Sequence, residues 1–285
     1  MTTSWLEIDP DSFRENFDRG PFRIRHRLAG HPLFQLPRIV ELARALPPEN
    51  VEYNAGNLEV NQDPALTPQT GLSAEETIRR IEECGSWMAL KYVENDPAYR
   101  RMLDECLDEI AVHSEPISPG MDRREGFIFI GSPGAVTPYH MDPEFNFLLH
   151  MHGPKTMRVF PRDDRTLLSE QEIEYFYTAS KQRNMVYREE YGAKARVFEL
   201  APGDGLHLPV NTPHWVKVGE RYSFSFSITF RTSASDRRSG VHAANAWLRR
   251  HGIEPRPFGG SPRREALKYF ALRAVRRSKM LLGNG

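Results

Sequence analysis

From Gly126 to Arg231 the chain is written in short apolar or alternating runs, "FIFIG", "TPYHM", "FNFLLHM", "TMRVFP", "ARVFEL", "DGLHLP", "HWVKV" and "YSFSFSITF", separated by Pro- and Gly-bearing turns. Runs of this length between turn residues are strands, and with so little helix between them parallel crossovers have no room. The strands must pair antiparallel and close up as a sandwich or barrel. One long interruption, residues 163–194, is polar and rich in tyrosine ("EYFYTASKQRNMVYREEYG"). It reads as a lid or substrate wall over one barrel mouth, or as an ordered surface excursion.

Upstream the pattern differs. "FRIRHRL" (Phe22 to Leu28) alternates apolar and basic residues as a half-buried strand does, and "PRIVELARAL" has helical spacing opened by a proline. Ser73 with Glu76 three residues on is a capping box, and Ile78 and Ile81 share one face of the helix it opens. "SWMALKYV" reads as a strand. Asp96 and Pro97 suit the cap and first position of a helix in which Tyr99, Met102, Leu103, Cys106, Leu107 and Ile110 recur at core-facing intervals. The expected organisation is an N-terminal α+β region, 1–120, packing on a β core, 121–232, with basic C-terminal helices at 233–285. The class is mainly β with flanking helices.

Within "TPYHMDPEFNFLLHMHGPK" (Thr137 to Lys155) three histidines and an aspartate interrupt otherwise apolar strands. Residues i and i+2 of a strand share a face, so His140 and Asp142 project together. A lone His-x-Asp pair is as readily a hydrogen-bonded structural pair. A further histidine, His214, follows a "PGDG" turn and a short strand in "PGDGLHLPVNTPHWVKV". Two histidines and one carboxylate on a rigid sheet form the facial set that holds Fe(II) and leaves three positions open. His150 and His152 share strand parity with Asn146 and are expected to point toward the pocket, in a structural or a substrate-contacting role. His207 is read as structural, with a hydrogen bond inside the pocket as the alternative. His26, His31, His113, His242 and His251 are read as satisfied or exposed.

With those residues in place, "TPYHMDPEFNFLLHMHGPKTMRVFP" followed by "PGDGLHLPVNTPHWV" resembles the jumonji C, or cupin-like, branch of the Fe(II)/2-oxoglutarate-dependent oxygenases, and is especially similar to the asparaginyl hydroxylase that inhibits the hypoxia-inducible factor. The resemblance covers residues 126–232 strongly and "WMALKYVENDPAYRRML" weakly. It implies a double-stranded β-helix (jelly-roll, cupin-like) core, iron on His140, Asp142 and His214, and 2-oxoglutarate held by Thr137, Asn146 and Lys155. It also implies oxygen as co-substrate and hydroxylation of a protein side chain or a small molecule, with demethylation as a third outcome of the same chemistry. One departure falls near Thr229, where that hydroxylase has asparagine. Lys155 has a second argument: it starts the strand after the "HGP" turn, its stem can reach a dicarboxylate, and a buried ammonium needs an anion. A strand-end lysine snorkelling to solvent is the plainer reading. The competing class is a metal-binding cupin that senses or regulates without turnover.

Composition narrows the setting. The 285 residues are 39% hydrophobic, with 16 Phe and 10 Tyr, enough for one large core or two modest ones. No run of about 18 apolar residues exists to span a bilayer, and "MTTSWLEIDPDSF" lacks the basic and apolar regions of a secretory signal, so a cytoplasmic protein is expected. Cys84 and Cys106 stand apart from any zinc-like spacing and read as buried thiols. Formal net charge is zero, yet residues 233–285 hold 12 Lys and Arg against 3 Asp and Glu. The tail is a separate electrostatic unit. Leu267, Phe270, Ala271, Ala274 and Val275 form an apolar stripe between its basic residues. Three uses compete: packing on the barrel or a second subunit, binding an acidic partner or nucleic acid, and lying on an anionic membrane. No nucleic-acid motif accompanies the charge, and the resemblance favours a homodimer through the C-terminal helices.

Overall fold

The architecture is that of a computed structural model, which describes residues 4–178 and 185–282. In chain order the N-terminal region contributes β1 (Leu6–Glu7), α1 (Pro10–Asn16), β2 (Phe22–His26), α2 (Leu36–Ala45), β3 (Val51–Ala55), α3 (Ala74–Arg79), β4 (Ser86–Lys91) and α4 (Pro97–Ser114). The β core follows as β5 (Asp122–Gly131), β6 (Val136–His140), β7 (Phe145–His152), β8 (Lys155–Val159), α5 (Glu170–Phe176), β9 (Arg196–Leu200), β10 (Asp204–Leu208), β11 (His214–Val218) and β12 (Ser223–Arg231). The chain closes with α6 (Ser233–Arg250) and α7 (Pro262–Leu282). Every strand expected between Gly126 and Arg231 is present.

These strands form two antiparallel sheets, an eight-stranded one in the order β1-β2-β10-β7-β12-β5-β4-β3 and a four-stranded one in the order β6-β11-β8-β9. Strand parity decides what lies between them. Leu148, Leu206 and Leu208 of the large sheet meet Met157, Val159, Phe198, Leu200 and Val216 of the small one as a single apolar cluster. On the outer face of the large sheet the opposite parity, Phe145, Phe147, Phe224, Phe226 and Phe230, packs against Phe13, Ile39, Leu42, Leu103 and Ile110 of the N-terminal helices. Each fully buried side chain of this size contributes about 1.5–3 kcal/mol of burial free energy, so this layer fixes the large sheet from behind. The N-terminal region is joined to the barrel by hydrogen bonds as well as packing: β2 pairs with β10, and β4 with β5.

Local sequence accounts for the helix starts. Ser73 and Glu76 make the reciprocal capping box, and Asp96 accepts from the backbone N–H groups of Ala98 and Tyr99 with Pro97 in the first turn of α4. Within 163–194, α5 and its flanks pack on the outside of the small sheet: Leu167 and Tyr187 against Tyr139 and Phe160, and Leu168 and Ile173 against Met141. Residues 179–184 lie outside the described residues, and so does the part of the lid reading that falls on them. Among the described residues, no helix is long and apolar enough to cross a membrane.

Candidate metal and co-substrate site

The ladder between β6 and β11 sets the site. His214 pairs with His140 and Val216 with Thr137, so between these pairs one residue on β11, Trp215, faces two on β6, Pro138 and Tyr139. This is a bulge, and it falls at Pro138, which has no backbone N–H to lose from a ladder. Val216 points into the barrel. Its partner Thr137 and His140, three positions apart, therefore both turn inward, which regular alternation forbids.

One turn beyond the strand, Asp142 completes the cluster. His140 Nε2 and His214 Nε2 lie 3.8 Å and 3.9 Å from Asp142 Oδ2, and one ligand atom from each residue falls within 4.8 Å of the others. Each imidazole is oriented from behind: Nδ1 of His140 lies 2.7 Å from the Pro138 carbonyl and Nδ1 of His214 lies 2.9 Å from that of Thr212. A carbonyl only accepts, so both rings carry their proton on Nδ1 and present the Nε2 lone pair to the centre. Two neutral imidazoles and a carboxylate fit a divalent first-row metal such as Fe(II).

The ligand turns are tied together by a residue that the sequence reading missed. Asn211, with φ of 61°, donates its backbone N–H to the Asp142 carbonyl at 2.8 Å and accepts the Tyr177 hydroxyl on its side-chain oxygen at 2.8 Å. Its amide nitrogen also meets the sulfur of Met141, the residue between the two ligands. The signal was the "VNTP" turn, since asparagine tolerates the left-handed conformation.

Deeper in the barrel, Lys155 shares its strand face with Met157 and Val159. Its Nζ donates to Ser225 Oγ at 2.6 Å, and burial pushes the ammonium down to about 7. Among the described residues it makes no ion pair. The snorkelling alternative is excluded, because the side chain is buried. An ammonium placed there is costly without an anion. Asn146 accepts the Ser227 hydroxyl at 2.8 Å, and Thr137 accepts the Trp87 indole N–H at 3.1 Å. Trp87, Ser225 and Ser227 were not foreseen. Thr229 spends its hydroxyl on the Glu125 carbonyl, 3.2 Å away.

The remaining histidines sort by register. His150 turns inward and bonds Ser225, whereas a bulge between Phe224 and Ser225 places His152 opposite Phe224 on the outer face, stacked on Tyr222 at 4.1 Å. The shared parity expected for His150 and His152 breaks at that bulge. His207 faces away from the pocket, between Phe17 and Phe147, and bonds the Asn146 carbonyl at 3.1 Å, a structural role. Toward the rim, Arg231 donates to Glu144 at 2.7 Å, and burial, with Glu144 beside it, raises the carboxyl of Glu125.

No protein-family model matches the sequence. A segment of 107 residues, 36% of this chain and 26% of the relative, is 30% identical to lysine-specific demethylase 8 of Danio rerio, so the match spans about a quarter of that protein. Among solved structures, Escherichia coli YcfD covers 96% of this chain and 69% of its own, with a TM-score of 0.55 at 16% identity. YcfD described as a ribosomal oxygenase in complex with cobalt and 2-oxoglutarate gives a TM-score of 0.50 at 16% identity, covering 96% of this chain and 68% of its own. The likeness to YcfD is one of fold: a double-stranded β-helix of two antiparallel sheets with flanking helices.

Proposed function

We propose that the protein is an Fe(II)/2-oxoglutarate-dependent oxygenase, a hydroxylase. The observation that carries this reading is the presence in one barrel of a His-Asp-His face and a buried lysine without an ion pair among the described residues. The first fits a metal and the second needs an anion; a 2-oxo dicarboxylate answers to both. His140, Asp142 and His214 would hold the iron, and Thr137, Asn146 and Lys155 the co-substrate. When bound, the iron supplies activation of oxygen coupled to oxidative decarboxylation of 2-oxoglutarate. The chain's own part is to fix the imidazole tautomers through Pro138 and Thr212, to hold the buried lysine where the distal carboxylate would seat, and to exclude water with Leu148, Met157 and Val216.

The substrate is a side chain of a protein or a small molecule. Glu125, at the same ladder level as Asn146 and Thr229, supports one that brings a positive charge. We assign the site of action to the cytoplasm, where the free thiols Cys84 and Cys106 stay reduced. The exposed faces of Leu267 and Phe270 on α7 support a homodimer through the C-terminal helices.

The test is anaerobic titration of the Fe(II) protein with 2-oxoglutarate, followed by admission of oxygen. The expected result is a metal-to-ligand charge-transfer absorption that saturates, then release of succinate. A metal-loaded protein with neither absorption nor succinate would instead be a sensor or regulatory cupin.

A further inference from the structure

Behind Lys155 lies a chain of hydrogen bonds whose polarity is set by one carbonyl. His150 Nε2 lies 2.7 Å from the Gly153 oxygen, His150 Nδ1 lies 2.9 Å from Ser225 Oγ, and Lys155 Nζ lies 2.6 Å from the same Oγ. The Gly153 carbonyl has no proton to give, so Nε2 carries the ring hydrogen. A neutral ring then offers only a lone pair at Nδ1, and the Ser225 hydroxyl must donate to it. That turns the oxygen's lone pairs toward Lys155, which donates. Burial holds the His150 ring at about 3, so it stays neutral across the physiological range. The turn itself is fixed: Gly153 has φ of 75°, and a Cβ there would sit 2.0 Å from the Tyr222 carbonyl oxygen.

We propose that His150, acting through Ser225, is a positioning residue that presets the Lys155 side chain for the distal carboxylate of a dicarboxylate co-substrate, and that seating this carboxylate draws a proton onto the lysine. The inference rests on the proposed oxygenase reading. Sheet register argues for it independently of any charge: Ser225 pairs directly with His150 across β7 and β12, and Lys155 opens the opposing strand β8. The titratable groups around this end are His150, then His26, whose Nε2 bonds the His150 carbonyl at 3.0 Å, then Asp204, already held by Arg23 and Arg25. Val218 and Leu200, the strand neighbours of Lys155 on β11 and β9, are apolar.

The sign of the linkage follows. With the pocket empty the lysine titrates near 7, and beside a carboxylate it titrates higher. Dicarboxylate affinity is therefore full below pH 7 and falls, by up to about 10-fold per pH unit, as pH rises above it; binding at pH 8 takes up close to one proton.

The experiment is calorimetry on the anaerobic Fe(II) protein, titrated with 2-oxoglutarate and, separately, with pyruvate, which lacks the distal carboxylate, in two buffers of different ionisation enthalpy from pH 6 to 9. Wild type is expected to take up a proton with 2-oxoglutarate and none with pyruvate. Ser225→Ala should bind iron and pyruvate as wild type does, lose about 10-fold in 2-oxoglutarate affinity at pH 7, and lose affinity from a lower pH. Ser225→Thr, which keeps the hydroxyl, should recover most of this, and His150→Phe should shift in the same direction as Ser225→Ala. Equal affinity and equal proton uptake in wild type and Ser225→Ala would overturn the relay while leaving the oxygenase reading intact. Iron binding without 2-oxoglutarate binding in wild type would overturn both.

Discussion

Lys155 is buried where water does not reach, and once protonated its charge-assisted bond to a carboxylate is worth about 1.5–3 kcal/mol, or roughly 10- to 150-fold in affinity. Lys155→Ala should bind Fe(II) as wild type does and bind 2-oxoglutarate more weakly by about that factor. Lys155→Arg should recover part, because a planar fork on a longer stem does not match a site built around an ammonium and a serine oxygen. Asp142→Ala removes the anionic ligand, so iron content and turnover should collapse while circular dichroism, reporting a fold held by the sheet core, stays unchanged. Asn211 separates strain from contact. Asn211→Gly keeps the left-handed backbone and loses the Tyr177 bond, about 1 kcal/mol; Asn211→Ala also takes on about 1–2 kcal/mol of backbone strain. Metal affinity measured by calorimetry should fall in the order wild type, Gly, Ala, and equal values for Gly and Ala would show that the turn does not hold the ligands.

On the scale of elements, two bulges divide what the sequence discloses from what it conceals. His140, Asp142 and His214 were readable because the His-x-Asp spacing and the distal "NTPH" turn are local signals, although Asp142 lies beyond the end of β6 and reaches His140 from the turn, where strand parity does not apply. Thr137 was reached through the family resemblance alone, since parity would point it outward, and His152 was misplaced because a bulge reverses its face. "SFSFSITF" did display its polar face as Ser225 and Ser227, but what those serines meet lies on β7 and β8, about 70 to 80 residues away. Trp87 was harder still, as nothing local says that β4 extends the barrel sheet. The bulge also supplies the Pro138 carbonyl that orients His140, so one irregularity serves two ligands. The turn between β7 and β8 gives the element-scale test. Gly153→Ala must move the turn, at a cost above about 1 kcal/mol, and since Lys155 starts two residues later, 2-oxoglutarate affinity should drop while iron binding persists. A variant with unchanged co-substrate affinity would mean that the turn and the lysine are uncoupled.

Across the whole molecule one carboxylate joins three regions. Asp18, just after α1, accepts from Arg162 beyond β8 at 2.8 Å and from Arg238 on α6 at 2.9 Å. Burial alone would raise its carboxyl, but the two guanidinium groups outweigh burial and hold it below the usual range. A depressed folded value means stability that is present above the unfolded carboxylate range and lost as pH falls through the folded value. Asp18→Asn should therefore be less stable at neutral pH, by a figure approaching about 3 kcal/mol, and lose less stability than wild type between pH 5 and pH 2 in urea melts. For α7, light scattering of the intact chain is expected to give a dimer mass, and truncation at Gly259 a monomer or aggregate; a monomer at micromolar concentration for the intact chain would favour the acidic-partner reading. The order of the large sheet has a consequence for how the chain is made. Its central strand, β12, is the last to be synthesised, and until Arg231 emerges the sheet exists as two halves with open, apolar edges at β7 and β5. Such edges invite wrong partners, and pairings this distant in sequence form slowly. Yield in a heterologous host should depend steeply on growth temperature and chaperone supply, and nascent chains stopped before Ser223 should be the species that holdase chaperones retain.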